Sequence, residues 1–162
     1  MTYCGCDNGI SGALVVLSDM AGVAPVAMTL MPIRAKQKGN EVDPELLWMW
    51  LEQFTHQDLT VVVEKPAGAQ NASAAVSMAD SFACIRTILE LKGIRRHYIN
   101  AKTWQKVMLP NCPTGNTKPF ALTVAQRIWP EEKWLGTPMA KGPNGNLVDA
   151  ALIAEFARRE RL

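Results

Sequence analysis

Short apolar runs broken by glycine turns open the chain, and longer segments with helical spacing follow. Residues 2–7 read as a strand, and Asn8-Gly9 after them is a strong hairpin signal. Residues 12–17 (Gly-Ala-Leu-Val-Val-Leu) read as the returning strand. Ala21-Gly22 makes a second turn, and residues 25–31 read as a third strand, which completes an antiparallel meander. Residues 36–40 are polar and read as a loop. Asp43 is placed to cap a helix with Pro44 in its first turn, running to about Phe54. Residues 59–63 (Leu-Thr-Val-Val-Val) form a continuous β-branched run, the pattern of a strand buried on both faces, and Pro66 forbids its extension. Residues 71–92 read as a long helix of small and apolar residues closed by Gly93. A fifth strand is predicted at 95–100, and helices at 102–108 and 118–128, joined by a loop at 110–117. A Gly/Pro-rich loop covers 130–146, and a final helix, apolar nearly all round, covers 147–161.

These elements define an α/β protein. Its five-stranded mixed sheet has three antiparallel strands, then two parallel ones, flanked by helices. With 162 residues the chain fits one domain spanning 1–162. A content of 48% hydrophobic and 20% charged residues excludes disordered and collagen-like chains. No uninterrupted apolar run reaches the ~18 residues of a membrane span. The first residues lack the basic-then-apolar order of a signal peptide. Four cysteines without framework spacing are expected as reduced thiols, so a cytoplasmic protein with no membrane association is expected. Cys4 and Cys6 share a strand face but have no partner pair at zinc spacing.

The net charge of +2 is unevenly spread. Residues 1–94 carry 6 Lys/Arg against 10 Asp/Glu, residues 95–141 carry 8 against 2, and residues 142–162 carry 3 of each. Such a basic block fits a polyanion, although charge alone favours a solvated surface with no partner.

Three carboxylates stand where their surroundings penalise charge. Asp7 ends the first strand, Glu64 ends the most apolar strand, and Asp149 sits in the first turn of an apolar helix. Singly, Asp7 reads as a turn residue and Asp149 as a complement to the helix dipole. Glu64 has no such explanation, since turn chemistry does not ask for Glu after three valines. Together they form an all-oxygen set suited to Mg²⁺ or Mn²⁺.

Around these acids the sequence resembles the RuvC-like Holliday junction resolvases, in their phage-type branch. Residues 7–13 (Asp-Asn-Gly-Ile-Ser-Gly-Ala) resemble the first family motif. Val63-Glu64-Lys65 with residues 70–74 (Gln-Asn-Ala-Ser-Ala) resembles the second. Thr103-Trp104-Gln105-Lys106 and Lys118 ahead of a helix are similar to the basic segment, and residues 149–155 (Asp-Ala-Ala-Leu-Ile-Ala-Glu) to the last motif. The resemblance spans residues 3–157. It implies an RNase H-like fold in which the first and fourth strands lie side by side, Asp7 meets Glu64, and the last helix delivers Asp149. It further implies a homodimer that cuts four-way DNA junctions with two divalent ions, Mg²⁺ or Mn²⁺, held by Asp7, Glu64 and Asp149, with Asp7 as the bridging ligand. Metals roughly 3.5–4 Å apart would activate water and stabilise the leaving 3′ oxygen.

One departure is visible. The family has a fourth acid three or four residues before the last, where this chain has Asn146 and Gly145, next to Asn144. The site then runs on three acids, or Glu155 or Asp80 assists, or Asn146 or Asn144 occupies an aspartate's place. The resemblance assigns DNA contacts to Lys65, Gln70, Lys102, Lys106 and Lys118, with Lys118 near the scissile phosphate. Where the family places an aromatic wedge in the segment 65–71, this chain has Ala67. The helix 71–92 is expected at a dimer interface or packed on both sides within the monomer. Trp104 is expected as a core residue or helix anchor, Trp129 and Trp134 as core or sheet-edge cover, and His56 and His97 at the surface or a strand end. Two other readings stay open: a junction-binding relative that has lost metal affinity, and an actin-like ATPase fragment, whose family opens with a similar Asp-x-Gly-x-x-Gly hairpin but uses two such domains.

Overall fold

The β-branched run at 59–64 lies in the sheet with a helix layer on each face, as its composition requires. The computed structural model describes residues 1–68 and 71–162. The strands β1 (Thr2–Asp7), β2 (Ala13–Ser18) and β3 (Ala27–Leu30) make the meander. Two short strands, β4 (Ile33–Ala35) and β5 (Asn40–Val42), pair separately. Then come α1 (Pro44–Glu52), β6 (Leu59–Glu64), α2 (Ala72–Leu91), β7 (Arg95–Ile99), α3 (Ala101–Met108), α4 (Thr117–Ile128) and α5 (Gly145–Glu160). The main sheet runs β3-β2-β1-β6-β7. β1 is antiparallel to β2 and parallel to β6, and β6 is parallel to β7. This is the five-stranded mixed sheet that the sequence predicts.

Strand alternation sorts the core into two layers. Cys4, Cys6, Leu14, Val16, Val61 and Val63 pack against Leu47 and Leu51 of α1 and Ile85 and Leu89 of α2. Tyr3, Val15, Leu17 and Val62 pack on the other face against α3, α4 and α5. Asp43 caps α1 by accepting from the backbone N–H of Glu45 and Leu46, with Pro44 at the first helical position. Asn71 caps α2 through the N–H of Ala74 at 2.8 Å.

The structure differs from the expectation in three places. The polar segment is a loop up to Gly39, as read, but it is the turn of an unforeseen β4–β5 hairpin, whose three-residue strands carry an Arg34–Glu41 ion pair at 2.8 Å on their exposed side. The connection after β1 is a five-residue loop, since Asp7 pairs with Ala13. Gly12 in that loop admits no side chain, because a Cβ would sit 2.0 Å from the Asp7 carbonyl oxygen. Finally, α2 is long and apolar enough to cross a membrane on length and composition alone. Its Ser81, Ile85, Ile88 and Leu89 are instead buried on the sheet.

β1 and α5 approach to backbone contact at Gly5. A Cβ at Gly5 would lie 2.0 Å from the Ala150 carbonyl oxygen and 2.5 Å from the Ala154 nitrogen. Both obstacles are backbone, so α5 would have to move away from the sheet. Gly5→Ala is expected to destabilise the protein by about 3 kcal/mol or more, lowering the melting temperature by about 10 °C. Gly142→Ala, whose Cβ meets open space, serves as the control and should leave the melt unchanged.

Candidate active site

Asp7 and Glu64 are the last residues of two adjacent parallel strands. β1 and β6 are paired up to Cys6 opposite Val63, so the next step along places Asp7 beside Glu64. Alternation turns both toward the layer that also holds Tyr3 and Val62, the layer that α5 covers. The carbonyl of Ala150 sits over Gly5, and Asp149 is the residue before it. Asp149 is the fifth residue of α5, beyond the first turn, because the helix begins at Gly145 rather than at 147. Dipole complementation therefore does not account for it.

The electrostatics show that the three carboxyl groups share one environment. Burial first, and then the charges of Asp149 and Glu64, push Asp7 up to about 8 against the opposing pull of Lys118. Asp149 is raised to about 6 by burial, opposed by Lys118 and reinforced by Glu64. Burial also raises Glu64, opposed by a hydrogen bond from Trp104. The Trp104 indole Nε1 donates to Glu64 Oε2 at 2.6 Å. Perturbation of this kind, by desolvation plus like charges, marks functional sites more often than structural ones.

Lys118 is exposed at the start of α4, and its Nζ donates to Asn146 Oδ1 at 3.2 Å. The Asn146 amide in turn donates to the Ser11 carbonyl in the loop that follows Asp7. Asn146 is therefore at the rim of the site with both ends of its side chain engaged. Asn144 is the N-cap of α5, accepting from the N–H of Asn146 and Leu147, which explains it without a metal. Glu155 lies 2% exposed, with one oxygen on Arg159 at 2.7 Å and the other on Arg158. It is not available to assist. Asp80 lies on α2, which packs on the opposite face of the sheet, beside a cleft bounded by Lys36 and Asn40.

Lys65, Lys102 and Lys106 are exposed, the first immediately after β6 and the other two on α3. Gln70 lies outside the described residues. Trp104 is buried on the inner side of α3, as the core reading expects, but its bond to Glu64 was not legible from the chain. Trp129 and Trp134 pack edge to face in the core, 5.4 Å between centroids. His56 is exposed, and His97 sits half-buried in the middle of β7 rather than at its end. Cys4 and Cys6 are fully buried with their thiols pushed up by desolvation, which makes them inert core residues.

Among the described residues, no three His, Cys, Asp or Glu side chains are drawn tightly enough together to hold a metal ion as they stand. The donor set nevertheless fits a hard divalent cation. Three carboxylates face one another with raised proton affinity, and a cation between them would replace repulsion with attraction.

No protein-family model matches the sequence, and no curated protein matches it. Solved structures do resemble the fold. The structure titled "T. thermophilus RuvC in complex with Holliday junction substrate" superposes with a TM-score of 0.59 at 17% identity, covering 99% of this chain and 96% of that one. A second, "Thermus thermophilus RuvC structure", gives a TM-score of 0.59 at 14% identity, covering 99% and 97%. The chain thus has a RuvC-like fold.

The raised proton affinity of Asp7 has a consequence for stability. Between its ordinary value of 3.8 and about 8 the unfolded chain has lost this proton and the folded one keeps it. Stability therefore falls as pH rises through that window, each tenfold change in proton affinity counting for about 1.4 kcal/mol. Asp7→Asn is expected to melt with the wild type at pH 4.5 and several degrees above it at pH 8, in the absence of divalent cations. Coincident melting curves at both pH values would show that Asp7 is not held among the other charges.

Proposed function

We propose that the chain is a divalent-metal-dependent endonuclease that resolves four-way or otherwise branched DNA junctions, of the phage-type RuvC-like kind, and that it works as a cytoplasmic homodimer. The observation that carries this reading is the meeting of Asp7, Glu64 and Asp149 at the ends of β1 and β6 under α5. The likeness to a RuvC bound to a Holliday junction supports the substrate class, since that protein's fold is shared over nearly the whole chain.

Mg²⁺ or Mn²⁺, when bound, supplies an ionised water and neutralises the leaving 3′ oxygen. Asp7, Glu64 and Asp149 would hold the ion, and Asp7 is the carboxylate that both others perturb. Glu64 and Asp149 flank it. Lys118 reaches the edge of the same cluster and would meet a phosphate there. Lys102 and Lys106 extend the cationic surface along α3, and Lys65 and Gln70 are assigned to the junction on the sequence resemblance. For the homodimer, the first two turns of α2 supply the face: Val76 is 60% exposed, and Ala72, Ala75 and Ala79 on the same side of the helix are also open to solvent. An exposed apolar row of this kind on a long helix fits a second copy.

A second reading, binding a junction without cutting it, is favoured by Asn146. Its carbonyl and amide are spent on Lys118 and Ser11, and it adds no charge to the site.

A labelled four-way junction and a matched linear duplex incubated with Mg²⁺ or Mn²⁺ decide between the two. The proposal expects cutting of the junction and not the duplex, reduced about a hundredfold or more in Asp7→Asn and Asp149→Asn. Retained binding with no cutting in either metal selects the second reading. Asn146→Asp that leaves the rate unchanged removes position 146 from the ligand set. The double variant Lys102→Ala with Lys106→Ala should lower the salt slope of junction binding by about 2; an unchanged slope would remove α3 from the DNA interface.

A further inference from the structure

We infer that Trp104 is a positioning residue for the cation site: its indole N–H fixes one oxygen of Glu64 and leaves the other oxygen to serve a metal ion. The inference rests on the metal-site reading above and adds a residue whose side chain carries neither charge nor ligating atom.

The geometry is specific. Trp104 is 1% exposed and belongs to the core layer of Val62, Leu147 and Ala151. Its ring is clamped by packing, and Nε1 comes out of the core at one place, 2.6 Å from Glu64 Oε2. A short N–H···O contact to a carboxylate is among the stronger hydrogen bonds a neutral donor makes. Trp134 in the same layer has its indole N–H buried without a partner, so packing alone does not compel a bond, and satisfying an indole does not require a carboxylate. Trp129, in the same layer, donates instead to the Val23 carbonyl at 2.9 Å. Of the two bonded indoles, the one aimed at the site takes its acid as acceptor.

The effect on Glu64 follows from its length. A free glutamate samples several rotamers, and fixing it forfeits up to about 2 kcal/mol of side-chain entropy. Trp104 has already restricted that freedom in the metal-free protein, so a cation meets a carboxylate that is pointed. The bond also takes up one lone-pair site of Oε2, so Oε1 is the oxygen with its full acceptor capacity left for a cation. Partners that hold a ligand from behind in this way typically change metal affinity by tenfold or more.

The same helix ties the bond to DNA. α3 spans eight residues, with Trp104 and Met108 buried and Lys102 and Lys106 exposed. A movement of α3 under DNA would be transmitted to Glu64 through a rigid ring rather than a flexible chain.

The test uses the full chain without DNA. The protein has five tryptophans, so its proton–nitrogen NMR spectrum holds five indole signals. The signal of Trp104, assigned by its loss in Trp104→Phe, is expected downfield of the others, to shift upfield in Glu64→Ala, and to move when Mg²⁺ is added. Calorimetric titration with Mn²⁺ should show about tenfold weaker binding in Trp104→Phe, while junction binding without metal stays at the wild-type level. Equal Mn²⁺ affinity in Trp104→Phe and wild type overturns the positioning role and leaves the metal site standing. A wild type that binds no divalent cation overturns both. Should Trp104→Phe fail to fold, the wild-type signal assigned through the backbone decides: one that does not move with Mg²⁺ or with Glu64→Ala overturns the inference.

Discussion

The meeting of Asp149 with the strand ends that carry Asp7 and Glu64 depends on a missing side chain. Gly5 lies in the middle of β1, and the space its Cβ would fill is taken by the backbone of α5 at Ala150 and Ala154. The helix answers with small residues of its own: Ala150, Ala151, Ala154 and Ala157 are all fully buried. Helix and strand thus approach to backbone contact, closer than helix and sheet pack through ordinary side chains. At that distance a carboxylate at Asp149 no longer projects past the sheet but is held over the ends of β1 and β6. A helix packed one side chain further away would leave Asp149 solvated and Asp7 without its strongest neighbour.

The arrangement opposes stability locally. Burial and the neighbouring carboxylates raise Asp7 and Asp149 well above the ordinary range for aspartate, and Lys118 works against this. The apolar remainder of α5 and the two core layers hold the acids in place against that repulsion. Such a conflict between local chemistry and global fold is what a functional site looks like in an otherwise consistent protein.

Much of this was legible in the sequence, for identifiable reasons. The strand 59–64 announces itself by Val61, Val62 and Val63, and Glu64 stands out because nothing local asks for it. Asp43-Pro44 and Asn71 mark helix starts through cap chemistry that is read residue by residue. The β4–β5 hairpin was hidden because three-residue exposed strands leave no apolar alternation, only charges that pair across the ladder. Gly5 was hidden because a glycine in a strand does not say what approaches it. Trp104 was hidden because its bond spans forty residues of sequence. Asn144 invited a ligand reading, and only the helix boundary shows it to be a cap. What the chain states locally was readable, and what arises from the close approach of distant segments was not.

Asn146 belongs to the same balance of charges. A fourth carboxylate at this rim position would stand beside Lys118, whose Nζ now rests on the Asn146 carbonyl. It would draw that lysine into an ion pair and reduce what Lys118 does for Asp7 and Asp149, while adding another negative group to a cluster already strained by three. The neutral amide avoids both effects. It holds Lys118 by a weaker bond and anchors the Asp7 loop through Ser11. The cation-free fold is more stable for it, and any metal here depends more heavily on the remaining carboxylates. That dependence gives the alignment of Glu64 by Trp104 more weight than it would carry in a site with four acids.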